Sequence, residues 1–133
     1  MTGDGLVRLR GGLMGFAGIV CLLYGVTALV LGRPNPMPQW IPGTAGIAAG
    51  LAIFLVFSRA GQGSVQQAMD ETYRAEMNGA TRIGFWTGVV QYPLYAPFLM
   101  AGMIGFDVAF AAMGTITASA FLLSFALISL RGL

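Results

Sequence analysis

Residues 11–32 read GGLMGFAGIVCLLYGVTALVLG, 22 consecutive positions without a charged side chain. A helix rises 1.5 Å per residue, so the run is about 33 Å long and matches the roughly 30 Å hydrocarbon core of a bilayer. Three further runs are equally free of charge: WIPGTAGIAAGLAIFLVF at 40–57, then 83–104 and 108–130. Every Asp, Glu and Arg lies outside these four segments. The pattern predicts an all-α membrane protein of one domain over 1–133, a four-helix bundle with its transmembrane helices in two antiparallel hairpins. Twenty-two apolar residues also exceed the 7–15 of a signal-peptide core, and no A-x-A-like cleavage site precedes Arg33, so the first run is expected to be retained.

Composition points the same way. Only 9% of the 133 residues are charged, against about 25% in soluble domains. A soluble chain this short keeps most of its surface in water and has nowhere to hide so much apolar area. The net charge of +2 is too small and dispersed for a nucleic-acid surface, so no nucleic-acid partner is expected. The absence of His removes His-ligated haem, His-centred metal sites and His acid–base catalysis. Cys21, the one cysteine, lies inside the first run and reads as a small packed residue. No catalytic residue, metal or cofactor is therefore expected, and the chain reads as a non-enzyme.

All seven basic residues are arginine, and their placement predicts the threading. Arg8 and Arg10 precede the first span, Arg59, Arg74 and Arg82 lie between the second and third, and Arg131 follows the fourth. If the helices alternate, these six share one side and leave Arg33 alone on the other. Both termini are then cytoplasmic in a bacterial inner (plasma) membrane, with Trp40 and Trp86 near opposite interfaces. The general layout is similar to that of small bacterial inner-membrane proteins.

The connections differ in kind. RPNPMPQWIP at 33–42 carries four prolines and should be stiff and extended. The connection around Gly105-Phe106-Asp107 is short and predicts a tight hairpin. The long one, SVQQAMDETYRAEMNGATR from Ser64, reads as a cytoplasmic helix over about 65–80. Ser64 and Gln67 match a capping box, and Asp70 and Arg74 a favourable i,i+4 pair. Asp70, Glu71 and Glu76 read as a solvated face of that helix. The two hairpins show no sequence repeat of the kind inverted-repeat transporters carry.

Small residues recur at four-residue spacing. Gly11 and Gly15, Gly46 and Gly50, and Gly84 and Gly88 each form G-x-x-x-G, which lets backbones approach closely where lipid supplies no hydrophobic drive. The third run contains GFWTGVVQYPLYAPF, with Pro93 and Pro97 one turn apart. Each proline removes one helix hydrogen bond, so a kink is expected there. Gln91, Tyr92 and Tyr95 stand beside the freed carbonyls, and Gly84, Gly88, Gln91 and Tyr95 share one helical face. They form either a small intramembrane polar cluster or a set of side chains that satisfies the kinked backbone.

Family patterns narrow the choice. Small multidrug exporters need an acidic residue within the first span, and this chain has none. Arg74-Ala75-x-x-Asn78 is similar to part of the RAxxN motif of the glutathione-dependent membrane enzymes called MAPEG. It follows the second span where that family has it after the first, and Thr81 stands in place of Glu, so no activity carries over. The sequence is read as a non-catalytic structural or accessory subunit that packs against itself, as a homo-oligomer, or within a larger membrane complex. Its other partner is the lipid bilayer. The alternative is a passive transporter, channel or binder of a small lipophilic molecule that uses the helix with Pro93 and Pro97. Reporter fusions at Arg131 and within Pro34–Pro38 should give opposite compartment signals, and an exterior signal at Arg131 contradicts the threading.

Overall fold

The computed structural model describes residues 2–38 and 40–131, with the backbone alone at Glu71. Five helices account for it: α1 Gly3–Leu31, α2 Trp40–Arg59, α3 Gln62–Ala68, α4 Glu71–Met100 and α5 Phe106–Arg131. α1, α2 and α5 are each long and apolar enough to cross a membrane. α4 is the longest at 30 residues, but Gln91, the tyrosines and two prolines make its apolar part more polar than those three.

α1 starts eight residues before the uncharged run. Thr2 caps it, its Oγ1 accepting from the N–H of Gly5 at 3.0 Å, and Asp4 in the first turn suits the positive helix end. It ends at Gly32, whose φ of 65° is left-handed. Gly102, at φ 72°, closes α4 in the same way, with the N–H of Met103 reaching back to the carbonyl of Phe98 at 2.9 Å.

The single cytoplasmic helix expected over 65–80 is not present. The chain breaks at Met69–Asp70: the first half is the short α3, and the second half fuses with the expected third span into α4. Asp70 decides this. Its carboxylate accepts from the N–H of Tyr73 at 3.2 Å and caps α4. An N-cap is worth about 1 kcal/mol, whereas an exposed i,i+4 pair with Arg74 is worth a few tenths. Ser64 likewise forms no capping box, because α3 begins earlier, with Gly61 at its N-cap.

The helices lie in the order α2–α1–α5–α4, with α3 against the start of α1. α5 is the centre. A Cβ at Gly11 would stand 3.0 Å from Leu130, at Gly15 3.4 Å from Ala126 and at Gly18 2.9 Å from Leu123. At Gly25 it would stand 2.6 Å from Thr115 Oγ1. The falling partner numbers make α1 and α5 antiparallel. On the opposite side, Gly84 meets Phe121 and Gly88 meets Thr117, so α4 is antiparallel to α5 as well. α2 packs substantially on α1 alone, and only Ala49 along it is buried. The arrangement is an open row of helices; the closed four-helix bundle expected from four spans would need α2 to reach α4 or α5.

The interior is small and the exterior large. Most buried apolar residues are alanine, while Val30, Ile47, Phe54, Phe85 and Phe110 are exposed. That inversion suits a lipid exterior, where helices gain by close approach and not by hiding leucine. Gly18→Leu should therefore lower thermal stability in detergent by about 1–3 kcal/mol through overpacking against Leu123. Gly12→Leu, on the same helix with nothing within 4 Å of its would-be Cβ, should leave it unchanged.

Candidate functional site

Among the described residues, buried polar side chains gather midway along α4 and at the end where α1 and α4 begin, while Ser119 on α5 bonds only to the carbonyl of Ile116.

The first centres on Gln91, buried at 5% exposure. Its Nε2 donates to the carbonyl of Thr87 at 3.2 Å and to Thr117 Oγ1 on α5 at 2.9 Å. The Tyr95 hydroxyl donates to Gln91 Oε1 at 2.8 Å. Gly84, Gly88, Gln91 and Tyr95 all face α5, the glycines letting the backbones close up so that the amide reaches across. Pro93 and Pro97 free the carbonyls four residues earlier, those of Val89 and Pro93, whereas Gln91 engages the carbonyl of Thr87. Tyr92 makes none of these hydrogen bonds and is 73% exposed, at the rim of the cavity described next. α4 continues as helix through Pro93 and Pro97, each of which removes one bond from a ladder that its neighbours maintain. Thr117, the cross-helix partner, has the same spacing as several packing hydroxyls on α5, and nothing in the sequence singles it out.

Beside this chain of hydrogen bonds, toward the α4–α5 connection, α4 and α5 enclose a half-open cavity of about 510 Å³. Tyr92, Tyr95, Leu99, Phe106, Phe110 and Met113 line it.

The second group was not legible as a site. Arg10, a topological marker in the sequence, is 4% exposed. Its Nη1 donates to the Ala68 carbonyl at the end of α3, at 3.0 Å, and lies 3.5 Å from Met69 Sδ. The guanidinium sits 4.6 Å from the Tyr73 ring centre, 5.2 Å from Phe125 and 5.9 Å from Phe57. Arg10 therefore ties α1, α2, α3, α4 and α5 together at one end, with cation–π attraction offsetting part of its lost hydration. Its Nε is buried without a partner.

Glu76 belongs to the same end. Expected on a solvated face, it is instead 9% exposed, and the Ser129 hydroxyl donates to its Oε2 at 2.5 Å. The four-residue spacing Glu76, Ala80, Gly84, Gly88 along α4 is the available signal, and Ala80 on it is fully buried. Asp70, Glu76 and the exposed Asp4 face one polar cavity with Arg10. No three acidic side chains among the described residues are close enough to hold a metal ion. The third predicted small pair, Gly46 and Gly50, joins neither group: nothing lies within 4 Å of a Cβ at either position.

Comparison with known proteins yields no match: no family model, no curated protein and no solved structure is significantly similar to the chain.

Gln91→Leu should destabilise the protein by about 1–2 kcal/mol, the worth of an interhelical hydrogen bond in a membrane plus the cost of leaving Tyr95 unpaired. A double-mutant cycle with Thr117→Val, read by thermal unfolding in detergent, should show coupling of about 1 kcal/mol or less. Additive losses would mean that the 2.9 Å contact contributes nothing.

Proposed function

We propose that the chain is a non-catalytic integral membrane protein with four spans, α4 supplying the third, and that it associates laterally through α2. The observation that carries this is the pair Gly46–Gly50. The pairs Gly11–Gly15 and Gly84–Gly88 are spent on contacts with α5, but among the described residues nothing lies within 4 Å of a Cβ at Gly46 or Gly50. They sit on a helix that packs substantially on α1 alone. In lipid, a small-residue face gains nothing from being exposed, and its stabilising use is close contact with another helix. A second copy is the simplest occupant, because two-fold pairing brings the same face from both chains together.

The membrane assignment rests on three long apolar helices and on the inside-out distribution of residue sizes. Threading follows from charge. The starts of α1 and α4 and the end of α5 lie together, as the Arg10, Tyr73 and Phe125 contacts require. Phe57 brings the end of α2 to the same place. Six arginines flank these ends, which supports a cytoplasmic location for both termini in a bacterial inner membrane.

A second reading draws support from the 510 Å³ cavity between α4 and α5, whose size lies within the range of small-molecule sites. On that reading the protein binds a lipophilic molecule beside Tyr95. Ala109 is 4% exposed and lines the cavity, so Ala109→Leu should abolish such binding without changing oligomeric state.

The test is the mass of the purified protein in mild detergent, by light scattering. The wild type should be a dimer, or should carry a stoichiometric partner. Gly46→Leu with Gly50→Leu should yield a lone monomer with an unchanged unfolding temperature. A double variant that keeps the wild-type mass overturns the proposal.

A further inference from the structure

Two spaces follow one crevice between α4 and α5, and Tyr92 lines both of them. The half-open cavity toward the α4–α5 connection is walled by Tyr92, Tyr95, Phe106 and Phe110, with Met100 and Met113. A shallow groove continues from Tyr92 toward the start of α4, lined by Gly84, Phe85, Gly88, Thr117 and Phe121. From Thr81 to Met100 the crevice follows 19 residues of α4, about 29 Å along the axis. That matches a hydrocarbon core of about 30 Å.

The Tyr92 hydroxyl sets the first demand on an occupant. Among the described residues it has no hydrogen-bond partner. With α4 as a span, Tyr92 lies nine residues after Ile83 and eight before Met100, about 12 Å or more from either end of that stretch. Side chains of a helix lean toward its N-terminus, so the hydroxyl is carried away from the nearer end and toward mid-membrane. Hydrocarbon offers an O–H no acceptor at that depth. A phospholipid keeps its ester oxygens at the interface, and a neighbouring helix has its carbonyls bonded within itself. The occupant must therefore bring its own acceptor into the membrane interior.

The walls set the rest. Four aromatic rings and two methionines favour a flat π system, which gains from ring contacts and from sulfur at its edge. No charged side chain lines either space, so a neutral molecule is matched. The cavity of about 510 Å³ is more than three times the roughly 150 Å³ that takes up benzene. A substituted ring and the start of a chain fit within it.

We propose that the crevice binds a neutral ring carbonyl with a long hydrocarbon tail, the chemistry of a prenylated quinone. The ring lies in the cavity among Tyr95, Phe106 and Phe110. One ring carbonyl accepts from the Tyr92 hydroxyl, and the tail follows the groove past Gly88 and Gly84. This rests on the cavity being a site for a lipophilic molecule and on α4 being a span.

The experiment uses the full chain in phosphatidylglycerol nanodiscs and titrates a decyl-substituted benzoquinone. Decylbenzene, which has the ring and the chain without the carbonyls, is the control. Native mass spectrometry counts retained molecules, and thermal unfolding reads saturable stabilisation. One quinone per chain is expected, bound more tightly than decylbenzene. Tyr92→Phe keeps the ring and removes only the O–H. Its unfolding temperature without ligand should be unchanged, because the hydroxyl bonds nothing in the chain. Its quinone affinity should fall about three- to tenfold, the worth of one hydrogen bond, while decylbenzene binding stays the same. Phe110→Ala, at an exposed position, should weaken both probes. Equal affinity for the two probes overturns the proposal and leaves a general lipophile site. So does a quinone affinity that falls in Phe110→Ala and Ala109→Leu but not in Tyr92→Phe. If neither probe binds saturably to the wild type, the proposal and the lipophile site both fail.

Discussion

The close approach of α1 to α5 is the contact on which the rest depends. Gly11, Gly18 and Gly25 recur every seven residues, the spacing that keeps a seam on one face when two helices cross at a shallow left-handed angle. At each of them a Cβ would stand 3.0 Å or less from an α5 side chain. Lipid tails are as apolar as leucine, so this contact is driven by packing and gains from every fraction of an ångström. Because α5 is held there, its other side is fixed in place to receive Gly84, Gly88 and Gln91 of α4. α2, which packs substantially on α1 alone, is the peripheral element.

Legibility in the sequence tracked how local the governing physics was. The uncharged runs at 11–32, 40–57 and 108–130 marked α1, α2 and α5 because length and apolarity alone decide them. The glycine pairs were visible too, yet the sequence could not say which would be used inside the chain. Gly18 and Gly25 escape a four-residue template because they continue a seven-residue repeat from Gly11. The loop between α2 and α4 was misread for a different reason. Ser64 lies inside α3 and Asp70 caps α4, so the chain breaks between them, and the end of α3 is held there by a hydrogen bond from Arg10, 58 positions from Ala68.

The polar groups were less legible than the fold for the same cause. Gln91 and Tyr95 are four apart on one helix, so their bond is local and could be read from spacing. Thr117 is 26 positions from Gln91 and Ser129 is 53 from Glu76. Neither distance leaves a periodic trace. Tyr92 shows the limit from the other direction: adjacent to Gln91 in sequence, it points about 100° away around the helix and ends at the rim of the cavity.

The buried arginine explains a feature of the composition that hydropathy does not. The chain contains seven arginines and no lysine. At Arg10 that preference has a physical reason. A planar guanidinium stacks against Tyr73 and Phe125 while its edge still donates to the Ala68 carbonyl, and it stays charged when desolvated. An ammonium in the same cage would present a strongly hydrated point charge and would gain from losing its proton. It would then have no charge to hold against the rings and fewer donors for α3. The same cage needs Phe57 from α2, Tyr73 from α4 and Phe125 from α5 to converge on one side chain of α1. Arg10 is thus the group around which all five helices meet, α3 through its Ala68 carbonyl and α2, α4 and α5 through their aromatic rings.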